Sequence, residues 1–222
     1  MKLLLTDAGV RNASILNALV EMLGKPIEEC SALIIPTALH AQAGGAAQAY
    51  RVLSRTASDP CPMAELGWKS VGLLELSALP SIDRDLWVDL VREADALLVE
   101  GGDAMFLHHW MRESGLADLF PTLTDTVYVG LSAGSMVMTP CIGPDFVRWN
   151  PAGGDKTLGL VDFSIYPHME SSYFPHKTVE AAEKWAATMP VPVYATDEQT
   201  AIKVVDGVVE VVSEGNWRHF AQ

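Results

Sequence analysis

A serine lies between two glycines where the sequence changes from a strand-like to a helix-like pattern. In VYVGLSAGSMVM (127–138), β-branched and aromatic residues lead into Gly130, Ser132 and Gly134 before a helix-compatible run resumes. This G-x-S-x-G pattern is typical of a nucleophile elbow, a sharp turn that lifts the serine hydroxyl above the edge of a sheet. The motif is short and also arises by chance. Its position at a predicted strand–helix junction is what points to Ser132 as a nucleophile.

A second glycine cluster ends the preceding predicted strand, in VEGGD (99–103). Because parallel strands end at the same edge of a sheet, this loop is expected to lie beside Ser132. We expect the backbone N–H groups of Gly102 and Ala133 to form an oxyanion hole. Without the serine nearby, the two glycines would indicate only a turn between a strand and a helix.

A serine nucleophile needs a base to accept its proton, and the chain has six histidines. The preferred candidate is His168, which follows a predicted strand in SIYPHME, where Pro167 restricts the backbone. His176, at the start of a predicted helix, is its nearest rival. His40 stays open because it follows the second predicted strand at the same edge.

Two candidates for the acid that would orient the histidine, Asp197 and Glu198, come directly after the predicted strand VYAT. Successive residues of an extended chain face opposite ways, so one of these two carboxylates is expected to reach the histidine. The resulting order, Ser…His…acid, differs from the Ser…acid…His order of α/β-hydrolases.

Short apolar runs alternate with amphipathic segments through the first 131 residues. The predicted strands cover 2–6, 32–37, 70–76, 95–100 and 126–131, and the predicted helices cover 11–23, 42–55, 83–93 and 104–115. This alternation predicts an α/β fold with a mostly parallel sheet and helices on both faces. The role of the region 38–66, an active-site lid or an interface, stays open.

After residue 150 the pattern becomes richer in strands. Further strands are predicted over 161–166, 193–196, 201–205 and 208–212, with a helix over 175–188. The last two strands flank Asp206-Gly207, a strong signal for a C-terminal antiparallel β-hairpin. No repeat or linker interrupts the chain, so residues 1–222 are expected to form a single α/β domain.

Composition narrows the classes of function. The net charge of -13 and the pI near 4.7 argue against binding to nucleic acid or to an anionic membrane. The three cysteines, Cys30, Cys61 and Cys141, are too widely spaced for a zinc site and odd in number for a disulfide framework. The start of the chain lacks the apolar core of a signal peptide, and no run reaches the length of a membrane span, so a cytoplasmic location is expected. A homo-oligomer is left open.

Four blocks together resemble the peptidase E family of aspartyl dipeptidases and cyanophycinases. These are LLVEGGDAMFL, YVGLSAGSMVM, IYPHME and VPVYATDEQTAIKV, which resemble the family's blocks in order and spacing. The resemblance implies a fold similar to the class I glutamine amidotransferase domain, with serine in place of the nucleophilic cysteine. It implies Ser132 as nucleophile, His168 as base and Glu198 as the orienting acid. Glu214, in the similar stretch SEGNW, comes after the hairpin and is rejected as the acid.

Two departures from the family pattern concern substrate binding. The glycine loop reads G-G-D where the dipeptidases have G-G-N, which puts the carboxylate of Asp103 near the expected pocket. The segment 141–155 does not match the family, and its Arg148 could bind a substrate carboxylate or be a solvated surface residue.

The resemblance implies a serine peptidase that hydrolyses short peptides, with dipeptidase-like specificity for N-terminal Asp-X. The reaction would proceed through an acyl-enzyme and need no metal or organic cofactor. Two alternatives remain: a non-catalytic or regulatory amidotransferase-like module, and a serine hydrolase of a non-peptide amide or ester.

Overall fold

We describe the fold from a computed structural model, which describes residues 1–54 and 63–221. Ten strands are numbered along this part of the chain: β1 (Lys2–Thr6), β2 (Ser31–Ile35), β3 (Ser70–Leu73), β4 (Ala96–Val99), β5 (Val127–Leu131), β6 (Ser164–Tyr166), β7 (Val193–Thr196), β8 (Thr200–Val205), β9 (Val208–Ser213) and β10 (Trp217–Phe220). Six α-helices accompany them: α1 (Ala13–Leu23), α2 (Gly45–Ser54), α3 (Arg84–Glu93), α4 (Ala104–Glu113), α5 (Ala133–Met136) and α6 (Val179–Ala186).

The larger sheet has seven strands in the order β3-β2-β4-β5-β1-β8-β9. Its first five strands are parallel, while β8 runs antiparallel to β1 and forms a hairpin with β9. The mostly parallel sheet and the C-terminal hairpin were both predicted from the sequence. Asp206 and Gly207 make the hairpin turn with positive φ angles of 51° and 79°, as a two-residue turn of this kind requires.

Apolar side chains project from both faces of the larger sheet. Successive strand residues point to opposite faces, so Leu3 and Leu5 join the core beneath α3, α4 and α5, whereas Leu4 joins the core beneath α1. The strands β4 and β5 are buried along nearly their whole length, which is the pattern of strands covered on both faces. The sheet is therefore a rigid platform whose carboxyl edge carries the loops described below.

A separate sheet of three strands has the order β10-β7-β6. The strands β6 and β7 are parallel, and β10 runs antiparallel to β7. The sequence predicts β6 and β7 as strands but gives no sign that they leave the main sheet. It also misses β10, whose four residues are mostly exposed and lack an apolar run.

Several bounds differ from the predicted ones for local reasons. The helix expected over 175–188 begins at Val179 because Thr178 caps it, accepting a hydrogen bond from the N–H of Ala181. The helix after Ser132 has only four residues, and the third strand ends at Leu73. The helix predicted over 42–55 is α2, and the following loop, with Cys61, lies largely outside the described residues.

Among the described residues, no helix combines the length and apolarity needed to cross a membrane.

Candidate active site

The backbone at Ser132 has the geometry of a nucleophile elbow. Ser132 follows β5 with φ 50° and ψ −107°, a conformation that is strained for a residue with a side chain. A Cβ on Gly130 would lie 2.6 Å from the carbonyl oxygen of Gly134, and a Cβ on Gly134 would overlap the carbonyl of Val99. Glycine is therefore required at both positions by contact between backbones.

The serine hydroxyl is in hydrogen-bond contact with a histidine. Ser132 Oγ lies 2.8 Å from Nε2 of His168, which follows β6 by two residues. The backbone of His168 also has a positive φ, 65°, and its imidazole stacks on the ring of Phe174 with centroids 4.9 Å apart. Backbone and ring contacts thus fix the imidazole so that Nε2 faces the serine.

The carboxylate that contacts this histidine belongs to Asp7. Its Oδ2 lies 3.0 Å from Nδ1 of His168, and its Oδ1 accepts hydrogen bonds from the His168 backbone N–H at 2.6 Å and from Thr196 Oγ1 at 3.1 Å. The Asp7 side chain is fully buried. With Nδ1 donating to Asp7, the Nε2 lone pair is available to take the serine proton.

Glu198, which the resemblance implied as the orienting acid, occupies a different place. Its Oε1 accepts a hydrogen bond from Ser171 Oγ at 2.7 Å, while Nδ1 of His168 is already engaged by Asp7. The neighbouring Asp197 accepts hydrogen bonds from the loop that leads into β8. The prediction that one of these two carboxylates reaches the histidine is therefore corrected to Asp7.

Topology explains why Asp7 is at the site. It follows β1, which is parallel and adjacent to β5, with Thr6 opposite Leu131. Asp7 and Ser132 therefore emerge side by side at the carboxyl edge of the sheet, where loop residues of α/β proteins carry function. The signal in the sequence was a carboxylate directly after the first strand, in KLLLTDAG.

The other candidate residues lie away from the serine. His40 is paired with Glu75 at 3.3 Å, and His176 is exposed to solvent. Glu214 accepts a hydrogen bond from the backbone N–H of Ser14 at the start of α1, 2.9 Å away. The rejection of Glu214 as the acid therefore agrees with its contacts.

The glycine loop after β4 abuts the elbow. A Cβ on Gly101 would lie 3.5 Å from Cβ of Ser132, and one on Gly102, where φ is 139°, would overlap the carbonyl of Ala38. Within the described chain, no hydrogen-bond partner engages the N–H groups of Gly102 and Ala133. Both residues line the cavity that holds Ser132, so their N–H groups are available for an oxyanion.

A cavity of about 510 Å³ opens above Ser132, a volume usual for sites that bind small ligands. Asp103 and Arg148 both line it, as the sequence suggested. Asp103 is buried, and its Oδ1 caps α4 by accepting a hydrogen bond from the N–H of Phe106 at 2.8 Å. One of its two carboxylate oxygens therefore already stabilises the helix. Arg148 is exposed at the rim.

Sequence reasoning missed a buried lysine in the cavity wall, Lys177, which is only 8% exposed. Its Nζ lies 3.7 Å from the ring centroid of Phe146 and 4.2 Å from that of Tyr166. Burial, followed by the positive charge of Arg148, lowers the pKa of Lys177 from 10.5 to about 8. In the described parts of the chain, no carboxylate lies within ion-pair distance of this ammonium group.

Comparison with known proteins identifies relatives along nearly the whole chain. The family model of peptidase family S51 matches residues 3–212. Peptidase E of Nostoc sp. is 29% identical over 133 residues, which are 56% of this chain and 54% of that protein. An uncharacterised peptidase of Pasteurella multocida is 33% identical over 112 residues, 46% of this chain and 53% of that protein. The matched regions thus span about half the length of these curated relatives.

Two solved structures share the fold. A crystal structure of a proposed peptidase E from Listeria monocytogenes has a TM-score of 0.70 at 19% identity, and covers 96% of this chain and 98% of that one. A peptidase from an acI-B1 actinobacterium has a TM-score of 0.62 at 18% identity, with 99% and 93% of the two chains covered. These likenesses confirm the amidotransferase-like fold that the resemblance implied.

Proposed function

Because the chain belongs to peptidase family S51, a family of serine-type peptidases, we propose that it hydrolyses short peptides at Ser132. The observation that carries this proposal is the continuous hydrogen-bonded series Ser132–His168–Asp7 at a cavity of ligand size. Such a series allows a neutral imidazole to deprotonate the serine while a buried carboxylate stabilises the imidazolium that forms.

The reaction would follow the acyl-enzyme route. His168 accepts the Ser132 proton as Oγ attacks the scissile carbonyl carbon, and the N–H groups of Gly102 and Ala133 hold the oxyanion. His168 then donates the proton to the leaving amine, and water attacks the acyl-enzyme with His168 again as the base. Asp7 takes the orienting role that the resemblance had implied for Glu198.

We further propose that the substrate carries a carboxylate on its N-terminal residue, as in Asp-X peptides. Lys177 supports this, because its ammonium group borders the cavity over two aromatic rings, and no carboxylate of the described residues lies within 4.0 Å of it. Asp7 and Asp145 act on it only from a greater distance. Arg148 adds a second positive charge close enough to depress the pKa of Lys177. A bound substrate carboxylate would relieve the repulsion between these two cations.

The first test incubates a library of short peptides with wild type and Ser132→Ala and identifies products by mass spectrometry. Wild type is expected to cleave Asp-X peptides, whereas Ser132→Ala is expected to cleave none. Cleavage by Ser132→Ala at the wild-type rate would refute the mechanism. Absence of cleavage by both proteins would favour the non-catalytic module or a non-peptide amide or ester substrate.

A second test addresses Lys177 with Lys177→Met, which keeps an unbranched side chain in the aromatic surroundings. We expect kcat/KM for Asp-Leu to fall by roughly 10- to 100-fold, the effect of losing a hydrogen bond to a charged group. The matched neutral peptide Asn-Leu should be affected little. Equal losses for both peptides would show that Lys177 supports the fold of the site rather than selecting an acidic residue.

A further inference from the structure

Glu198 lies at the reaction cavity although Asp7 holds the catalytic histidine. The parallel strands β6 and β7 pair with Tyr166 opposite Ala195, so the residues after them emerge at the same end of the small sheet. His168 follows the first of these strands by two residues, and Glu198 follows the second by two. Both side chains line the cavity that contains Ser132.

A short chain of hydrogen bonds fixes the Glu198 carboxylate relative to His168. Oε1 of Glu198 accepts a hydrogen bond from the hydroxyl of Ser171, and the backbone N–H of Ser171 donates to the carbonyl oxygen of His168 at 3.2 Å. Ser171 is only 7% exposed, so its hydroxyl is shielded from bulk water. The carboxylate is therefore preorganised next to the catalytic histidine and not a freely moving surface group.

Among the residues that the structure describes, no cation lies beside the negative charge of Glu198. Across residues 1–54 and 63–221, no lysine, arginine or histidine nitrogen lies within 4.0 Å of its carboxylate. The side chain is half-buried, and its Oε2 has no hydrogen bond to any described residue. A partly desolvated carboxylate of this kind favours a ligand that brings both a positive charge and N–H donors.

We propose that Glu198 binds the free α-ammonium group of the N-terminal residue of the substrate. In a peptide cleaved after its first residue, the α-nitrogen is bonded to the same carbon as the carbonyl that Ser132 attacks. The group that binds this nitrogen must therefore lie close to the catalytic histidine, as Glu198 does. This assignment rests on the proposed function, and it makes the protein an exopeptidase that requires an unblocked N-terminus.

The test compares two ligands that differ only at the α-amino group. Asp-Leu carries the group, and N-succinyl-leucine has the same skeleton with hydrogen in its place. Binding of each to Ser132→Ala and to Ser132→Ala/Glu198→Gln is measured by isothermal titration calorimetry. In the first protein we expect Asp-Leu to bind roughly 10- to 100-fold more tightly, the usual effect of a charged hydrogen bond. In the second this preference should shrink to less than about 3-fold.

The matched control is Glu183→Gln in the same Ser132→Ala background. Glu183 lies on the exposed face of α6, outside the cavity, so the same change from carboxylate to amide should preserve the preference for Asp-Leu. An equal preference with and without Glu198, or failure of Asp-Leu to bind, would overturn the assignment. Circular dichroism of each variant separates loss of binding from loss of folding.

Hydrolysis by the wild type, measured with the same two compounds, separates this inference from the proposed function. Glu198-dependent binding without hydrolysis would contradict the proposed peptidase activity and leave the ammonium site standing. Hydrolysis of both compounds at similar kcat/KM would keep the serine peptidase and overturn the ammonium site. Hydrolysis confined to Asp-Leu, together with the calorimetric result above, would support both.

Discussion

Replacing Asp7 with asparagine tests the orienting carboxylate directly. In the wild type, Oδ1 accepts from the His168 N–H and from Thr196, and Oδ2 accepts from Nδ1 of His168. An asparagine can keep the first two bonds through its carbonyl oxygen, which puts its NH₂ group opposite Nδ1. That NH₂ group donates, so Nδ1 must become the acceptor and the ring proton moves to Nε2. Nε2 then can no longer accept the proton of Ser132.

The expected loss follows from this change of tautomer and from the missing negative charge. We expect kcat to fall about 10⁴-fold, as is usual when a triad aspartate becomes asparagine. That factor corresponds to about 5.5 kcal/mol of activation free energy. Because the bonds to Thr196 and the His168 backbone can persist, the variant is expected to fold.

Steady-state kcat and KM for Asp-Leu in wild type, Asp7→Asn and Glu198→Gln provide the assay. Glu198→Gln should act mainly on KM, because it contacts the substrate amine rather than His168. The control is Glu214→Gln, since Glu214 contacts the start of α1 and lies outside the cavity. A kcat of Asp7→Asn within about 10-fold of wild type would refute the role of Asp7. A loss of about 10⁴-fold in Glu198→Gln would instead return the orienting role to Glu198.

Two further predictions concern stability. Gly134→Ala should lower the free energy of unfolding by about 1–3 kcal/mol, since its Cβ would overlap the carbonyl of Val99. Urea denaturation monitored by circular dichroism measures the free energy of unfolding, and an unchanged midpoint would contradict the close contact. Lys177→Met should be more stable than wild type at pH 7 by up to about 3 kcal/mol, the equivalent of lowering the pKa from 10.5 to about 8. Between pH 8 and pH 10.5 the unfolded wild type binds more protons than the native protein, so the stability of the wild type rises with pH. The difference in unfolding free energy between Lys177→Met and wild type should therefore vanish near pH 10.5. Denaturation curves at pH 7, 9 and 10.5 measure this difference, and a constant value would contradict the prediction.

Local sequence patterns were sufficient to predict most of the strands and helices that position the site. The buried apolar runs of β2, β4 and β5 and the Asp206-Gly207 turn have strong local signatures, because burial on both faces and a positive φ each restrict the choice of residue. The contact between Ser132 and His168 could be anticipated because each residue follows a strand that the sequence predicts.

The contact between Asp7 and His168 depends on long-range strand order, which local patterns do not encode. A carboxylate after β1 becomes relevant only when β1 is known to lie beside β5. Similarly, the apolar residues of β6 and β7 predict strands but not the sheet to which those strands belong. Lys177 was missed because only the packing of Phe146 and Tyr166 around it distinguishes it from a surface lysine.

The division of the site between two sheets has a consequence for folding. Asp7 and Ser132 follow strands of the larger sheet, while His168 follows β6 and Thr196 ends β7 in the smaller one. Along the chain, Asp7 is 161 residues from His168 and 189 from Thr196. Contacts of such large sequence separation carry a high loop-closure entropy and form late. The pairing of β1 with β8 in the larger sheet joins residues that are equally far apart in the sequence, whereas helix contacts are local. In a refolding experiment, helix content should therefore recover before hydrolytic activity. The appearance of activity would mark the point at which the residue after β1 has packed against the residues at the ends of β6 and β7.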